Sequence, residues 1–292
     1  LTLTIFTVFI LEIIKTQFRL QYKNRLYAIT EFWYNVILTV LIFGLSYYFH
    51  GMGYIIALIV SPLITALFFI KKLNIKLNTK SSLKITNISF WKYGLFAGLS
   101  NVVTQLLILI DIILIGYLID DSTTVTNYRY ISIIPFSLLF LPRVFITTDF
   151  VSFTEKIGDK NYINTYIKNY MLFFGLISIL LVLFSYLFGE QILLIFGEEY
   201  SGFADSFLIL IIGITGIYIF RGLFGNLLSS IGKIEFNYYI ISIAIVINII
   251  SNYYLIPIYG IKGAAITSAI LMWFTGILSW LCFIYFYRKS SY

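Results

Sequence analysis

The chain has 292 residues, of which 60% are hydrophobic and only 11% are charged, and its formal net charge is +7. Since a soluble domain carries roughly 25% charged residues, this composition excludes an ordinary water-soluble domain and predicts an integral membrane protein. The positive charge does not indicate a nucleic-acid partner, because the Lys and Arg residues cluster in short stretches between apolar segments, where they set membrane orientation.

Nine apolar segments predict an all-α integral membrane protein with about nine transmembrane helices, because a helix needs roughly 20 apolar residues to cross a bilayer. The first segment begins without a Met and already inside an apolar run, so we expect a fragment that has lost an N-terminal part. In chain order the segments are 1–14, 32–48, 53–70, 91–118, 130–149, 166–188, 203–228, 236–258 and 263–287.

The connections between these segments alternate in charge, which predicts the orientation of the chain. Sixteen of the 20 Lys and Arg residues fall on every second connection and on the C-terminal tail, two fall on the opposite side, and two lie inside predicted helices. Because basic loops stay in the cytoplasm, the C-terminus is predicted to be cytoplasmic.

The longest polar stretch, residues 71–89, predicts a cytoplasmic linker between two bundles. Residues 1–70 are then the C-terminal part of a first transmembrane bundle, and residues 90–292 form the second. Three segments precede the linker and six follow it, so three more at the start would give the symmetry common in transporters built from repeats. The similar stretches "YYFHGMGYIIA" and "YYLIPIYGIKGAAI" agree with such a repeat.

The stretch "LIPIYGIKGAAIT", residues 255–267, interrupts the apolar pattern with almost no polar residues. We interpret Pro257 as the end of one helix, Gly260 and Gly263 as a sharp reversal, and the following alanines as a close helix contact. The stretch is therefore predicted to be architectural rather than a binding site.

Asp111 lies far from either end of its apolar segment. A carboxylate in the membrane centre costs at least a few kcal/mol, so Asp111 must face a cavity or a partner. It is the candidate ion-coupling residue, for protons or another cation. A structural hydrogen bond between helices is the alternative.

Arg143 and Arg221 also lie within apolar segments, and Arg143 follows Pro142, where a kink is expected. Because a guanidinium binds phosphate oxygens bidentately, both arginines are candidate residues for binding an anionic substrate. The alternative is that each extends to the membrane interface or pairs with a buried acid.

No catalytic residue, metal site or cofactor is predicted. The sequence has no glycine-rich phosphate loop, no HExxH and no G-x-S-x-G motif. One His and one Cys, His50 and Cys282, leave little for histidine or cysteine chemistry.

Four stretches carry a family resemblance: "FWKYGLFAGLSNVVTQLLILIDIILIGYLI", "FGEEYSGFADSFLILIIGI", "GLFGNLLSSIGKIEFN" and "VINIISNYYLIPIYGIKGAAITSAI". In this order they resemble the bacterial polysaccharide transporter family, the repeat-unit flippases of O-antigen and capsule synthesis, in the multidrug/oligosaccharidyl-lipid/polysaccharide exporter superfamily. The resemblance implies two bundles of a 12- or 14-helix fold around a cavity. It also implies that Asp111 occupies a position where many relatives carry an Asp.

The resemblance implies a flippase that moves undecaprenyl-diphosphate-linked oligosaccharide across the bacterial cytoplasmic (inner) membrane by alternating access. Its expected partners are this lipid-linked oligosaccharide, the lipid bilayer, a coupling ion (H⁺ or Na⁺) and a polysaccharide polymerase. Two alternatives stay open. One is a cation-coupled multidrug exporter of the same superfamily, and the other is a membrane-embedded polysaccharide polymerase or glycosyltransferase.

Overall fold

A computed structural model describes residues 2–73 and 87–289 of the chain, which are almost entirely helical and contain no strand. Besides α-helices, these residues form a 3-10 turn at Glu198–Phe203 and a π-helical turn at Ile217–Arg221. The α-helices are α1 (Thr2–Leu20), α2 (Asn24–Ile70), α3 (Ile88–Ile119), α4 (Ser122–Leu138), α5 (Phe140–Glu155), α6 (Lys160–Leu194), α7 (Ala204–Gly216), α8 (Gly222–Ser230), α9 (Ile234–Tyr259) and α10 (Ile261–Lys289).

Seven helical stretches within the described residues are long and apolar enough to cross a membrane, which confirms an all-α integral membrane protein. Within the described residues, the nine predicted segments fall in helical regions, but the structure joins some of them. Segments 32–48 and 53–70 both lie in α2, which counts once among the seven. The helix α1 carries Glu12, Lys15 and Arg19 and is not among them.

The chain divides into two compact units, Leu1–Lys84 and Ile85–Tyr292. Most of the predicted linker, residues 71–89, lies outside the described residues, so the assignment of two transmembrane bundles stays a prediction. In unit 1, α1 packs on α2 through a small apolar core that includes Leu11, Phe18 and Phe69. The Lys15 ammonium joins the two helices by ion pairs to Glu12 and Glu31, 2.5 and 2.6 Å long.

The helix α2 reverses direction at His50, which has φ 49° and ψ −130°. A Cβ atom on Gly53 would lie 2.1 Å from the carbonyl oxygen of Leu45, eight residues earlier. The two arms of α2 therefore pack so closely after the reversal that position 53 admits only glycine. His50 adopts a backbone conformation that glycine normally occupies.

The turn between α9 and α10 in unit 2 has the same construction. Gly260 has φ 56° and ψ −134°, and a Cβ atom on Gly263 would lie 2.4 Å from the carbonyl oxygen of Leu255. The three positions have the same spacing as those in α2, so the similar sequence stretches in the two units form the same turn. Because α9 continues to Tyr259, the prediction that Pro257 ends the helix is wrong, and Gly260 makes the reversal.

In unit 2, α3 packs against α9, while α10 packs against both α7 and α9. One apolar core surrounds Tyr128 and Phe207, and a second surrounds Phe174, Tyr218 and Phe283. Much of the remaining surface of α3 and α6 is apolar and exposed, as expected of helices that face lipid.

The helix termini of unit 2 gather into two ends of opposite charge. Side-chain hydrogen bonds join the end of α8 to the starts of α3 and α9 and to the end of α5, and the end of α10 to the turn after α5. This basic end carries Lys92, Lys156, Lys160, Lys233, Arg288 and Lys289. The opposite, acidic end carries Asp120, Asp121, Glu198, Glu199 and Asp205.

Candidate functional site

Asp111 is completely buried at a point where four helices of unit 2 meet. Its Oδ1 accepts hydrogen bonds from the amide groups of Asn248 and Asn252, at 2.9 and 2.7 Å. Its Oδ2 accepts from the hydroxyls of Tyr128, at 2.9 Å, and Ser268. The carboxylate on α3 is thus held by α4, α9 and α10 together.

Two features of the sequence bring these donors to Asp111. Asn248 and Asn252 are four residues apart on α9, so both amides project from one face toward Asp111. Ser268 approaches because α10 begins with small residues, and Ala264 and Ala265 are fully buried. The two asparagines of α9 therefore act as interhelical hydrogen-bond donors to Asp111.

All four donors to Asp111 are neutral, and no basic side chain forms a salt bridge with it in the described part of the chain. The four bonds occupy the acceptor positions of both carboxylate oxygens. The carbonyl oxygen of the neighbouring Asn252 side chain is buried and has no hydrogen-bond partner within residues 2–73 and 87–289. In the part of the chain that the structure describes, the Asp111 carboxylate is therefore surrounded by neutral amide and hydroxyl groups, and no basic side chain neutralises it.

Arg221 occupies the last position of the π-helical turn and is partly buried. One terminal nitrogen of its guanidinium donates to Asn237 on α9, at 2.8 Å, and to Ser279 on α10, at 2.6 Å. The Asn237 amide in turn donates to the Gly225 carbonyl, at 2.7 Å. Among the described residues no carboxylate pairs with Arg221, so its positive charge is oriented by neutral groups but not neutralised.

Arg143 lies on α5, and its side chain is exposed. The kink expected near Pro142 corresponds to a break between α4 and α5 at Leu139, three residues earlier, where the backbone is still right-handed helical. Because proline has no N–H, Pro142 leaves the carbonyl of Leu138 without its helical donor. The hydroxyl of Tyr218, in the π-helical turn, donates to this carbonyl at 2.7 Å instead.

The structure places the two arginines on adjacent backbone segments. A Cβ atom on Gly222 would lie 3.4 Å from the Cβ of Pro142. Since successive Cα atoms are about 3.8 Å apart, the Cα atoms of Arg143 and Arg221 are no more than about 14 Å apart. The guanidinium of Arg221 nevertheless points toward α9 and α10, and the structure does not join it to Arg143.

Asp111 forms a separate site. Asn237, which holds Arg221, and Asn248, which holds Asp111, are about 16 Å apart along the axis of α9. Sequence reasoning did not identify Tyr218, Asn237 or Ser279 as contributors. The only signal for them was an isolated polar group in an apolar helix.

Comparisons with known proteins agree with the helical membrane architecture. A family model described as MatE matches residues 97–254, which are more than half of the chain and contain Asp111, Arg143 and Arg221. The "Capsular polysaccharide biosynthesis protein CapF" of Staphylococcus aureus is 33% identical over 120 residues, which cover 40% of this chain and 28% of that relative. No solved structure matches the chain.

The helical architecture, the multiple membrane-spanning stretches and the extent of the family match lead to one assignment. Members of the matched family are transporters rather than enzymes. The chain belongs to the MatE family of multi-pass membrane transporters, within the multidrug/oligosaccharidyl-lipid/polysaccharide exporter superfamily.

Proposed function

We propose that the protein is a flippase that moves undecaprenyl-diphosphate-linked oligosaccharide repeat units across the bacterial cytoplasmic membrane. These units would then enter surface polysaccharide synthesis, where a polysaccharide polymerase is the expected next partner. The similarity to a protein named for capsular polysaccharide biosynthesis supports this choice of substrate.

The observation that carries the proposal is the unneutralised charge of Arg221 within a membrane-spanning stretch. It lies nine residues before the end of the membrane-spanning stretch Glu198–Ser230, roughly 13 Å from that end if the helix is regular. Asn237 and Ser279 fix one side of its guanidinium, while its charge has no carboxylate partner in the described residues. An unneutralised cation at this depth favours an anion, and a lipid diphosphate supplies one.

Arg143 is proposed as a second contact to the same substrate, because its side chain is exposed within the stretch Ser122–Glu155. The packing of Pro142 on Gly222 keeps its helix beside Arg221. Two guanidiniums on adjacent segments suit an extended anion with two phosphates better than a monovalent one. The same two guanidiniums would repel a cationic drug, which argues against the multidrug exporter.

Asp111 is proposed as the coupling residue, for H⁺ or Na⁺. Within the described residues, its oxygen-rich surroundings, the lack of a salt bridge to a basic side chain and the unpartnered Asn252 oxygen support a site that gains and releases a cation. The Asp111 site and Arg221 are about 16 Å apart along the axis of α9. Coupling between ion binding at Asp111 and substrate binding at Arg221 would therefore pass through α9.

The test uses the full-length protein in a bacterium that makes the cognate repeat unit but lacks its own flippase. Surface polysaccharide and accumulated lipid-linked precursor are measured for wild type, Arg221→Ala, Arg221→Lys and the control Arg129→Ala, which removes an exposed arginine from the acidic end of α4. We expect wild type and the control to export, and Arg221→Ala to lose most export at normal membrane levels. Arg221→Lys keeps the charge without the bidentate geometry and should be intermediate.

A wild type that exports no polysaccharide but protects cells from cationic drugs would overturn the proposal in favour of a multidrug exporter. Equal export by Arg221→Ala and wild type would remove Arg221 from the substrate path.

A further inference from the structure

A polar cavity of about 400 Å³ lies at the acidic end of unit 2. It forms where α3 passes into α4, where α7 begins and where α9 turns into α10. This volume is within the roughly 300–1,000 Å³ typical of small-molecule sites. We call it the turn pocket; its polar and aromatic lining includes Asn127, Phe203, Asp205, Ser206, Tyr259 and Lys262.

The turn pocket differs in chemistry from two other cavities of unit 2. Those two, of about 570 and 380 Å³, lie along the exposed face of α6 and are lined almost wholly by apolar side chains. Since α6 is a membrane-spanning helix, bilayer lipid can fill them. The turn pocket instead offers polar groups beside aromatic rings.

Several of these polar groups have unused hydrogen-bonding capacity. Ser206 is only 4% exposed and lines the pocket, yet its hydroxyl has no hydrogen-bond partner in the residues that the structure describes. The amide of Asn127 also has none there. Asp205 and Lys262 share one bond of 2.8 Å, which leaves further acceptor sites on the carboxylate and further donors on the ammonium.

This combination of groups suits a polyol. A sugar hydroxyl both donates and accepts, so it can bond to an amide, a carboxylate, an ammonium or a serine hydroxyl. One face of a pyranose ring presents C–H groups, which pack on the apolar face of an aromatic ring. The ring of Tyr259, 57% exposed at the pocket, is available for that contact.

The charge balance of the pocket argues for a neutral ligand. The ion pair of Asp205 with Lys262 cancels the one positive charge in the lining. A diphosphate entering here would meet the Asp205 carboxylate, so the pocket is unsuited to the charged head of a lipid-linked substrate. A sugar residue of the attached glycan carries no such penalty.

We propose that the turn pocket is a monosaccharide-binding subsite that receives a neutral pyranose. Its position at the acidic end, the side from which a glycan would leave, rests on the proposed flippase function and its predicted orientation. Asn127 and Ser206 bond to the sugar hydroxyls, the Asp205–Lys262 pair borders the ring, and Tyr259 packs against its C–H face.

The experiment measures binding of methyl glycosides of glucose, galactose and N-acetylglucosamine to the purified full-length protein, by saturation-transfer NMR with titration. The variants are Asn127→Ala and Tyr259→Ala. The matched control is Tyr254→Ala, which removes a similarly exposed tyrosine from the same helix outside the pocket. A thermal unfolding curve for each variant checks that it is folded.

We expect saturable binding of at least one glycoside to wild type and to Tyr254→Ala, weakened about tenfold in folded Asn127→Ala and Tyr259→Ala. Absence of saturable binding, or equal binding by all four proteins, would overturn the subsite and leave a cavity that holds only water. If wild type exports the repeat unit without glycoside binding, the subsite fails and the flippase stands. If a glycoside binds in the turn pocket without any export, the flippase fails and the subsite stands.

Discussion

At the scale of single residues, the two charged groups that matter most are stabilised in different ways. Asp111 is enclosed by four neutral donors from three other helices. Arg221 is held on one side, by Asn237 and Ser279, and remains partly accessible. The enclosed carboxylate suits a small ion, whereas the guanidinium, which no carboxylate of the described residues neutralises, suits an anion.

The coupling role of Asp111 predicts a specific response to Na⁺ or to protons. If Na⁺ binds, replacing KCl by NaCl at constant ionic strength should raise the unfolding temperature of wild type, because a ligand that binds only the folded state stabilises it. Asp111→Asn should lose that increase, while the exposed-carboxylate control Asp205→Asn should keep it.

If protons couple instead, Na⁺ should not change the unfolding temperature, and collapsing the pH gradient should stop export by wild type. Export by Asp111→Asn that keeps the wild-type ion dependence would show that the carboxylate is only structural.

The backbone of His50 predicts a stabilising substitution. A non-glycine residue in such a conformation costs on the order of 1–3 kcal/mol, part of which the greater flexibility of unfolded glycine offsets. His50→Gly should therefore stabilise the protein by about 1 kcal/mol, measured by thermal unfolding. The reciprocal control, Gly260→Ala, places a side chain at the equivalent position and should destabilise. An unchanged or lower unfolding temperature for His50→Gly would contradict the strain argument.

At the scale of elements, the break between α4 and α5 depends on a neighbouring segment. Pro142 deprives the Leu138 carbonyl of a helical partner, and Tyr218 supplies the missing hydrogen bond from the π-helical turn. The same turn ends with Arg221, and Gly222 beyond it packs on Pro142. The break between α4 and α5 and the π-helical turn that carries Arg221 therefore lie in one contact region.

Removal of the Tyr218 hydroxyl should destabilise this region. Tyr218→Phe leaves the Leu138 carbonyl without a partner, at a cost of about 1–3 kcal/mol, detectable in equilibrium or thermal unfolding. Tyr170→Phe is the matched control, because the Tyr170 hydroxyl is buried without a hydrogen-bond partner in the described residues. The control should be neutral or slightly stabilising. Equal effects of the two substitutions would show that the Tyr218 bond contributes nothing specific.

At the scale of the whole molecule, the clearest feature of unit 2 is the separation of charge between its ends. Basic residues gather where α5, α8 and α10 finish, and acidic residues gather around the turns at the other end. Basic residues are retained in the cytoplasm during membrane insertion. The distribution therefore predicts a cytoplasmic C-terminus, with the turn pocket on the opposite side.

Thiol labelling of single-cysteine variants tests this orientation. In a Cys282→Ser background, Glu199→Cys at the acidic end should react with a membrane-impermeant reagent in intact cells. Lys160→Cys at the basic end should react only after the membrane is permeabilised. Both original side chains are exposed, so a difference reports sidedness rather than burial. The reverse pattern would invert the proposed direction of transport.

The sequence by itself determined the helical membrane class, the apolar segments and the exceptional status of Asp111, Arg143 and Arg221. These are local properties, because hydrocarbon solvates a run of about 20 apolar residues and penalises one charge wherever it occurs. Only the tertiary structure decided which groups stabilise those charges. Asn248 meets Asp111 from 137 positions further along the chain, and such a contact depends on how helices pack. The stretch around Gly260 was predicted to be purely architectural for the same reason: its pocket exists only once α4, α7 and α10 begin side by side.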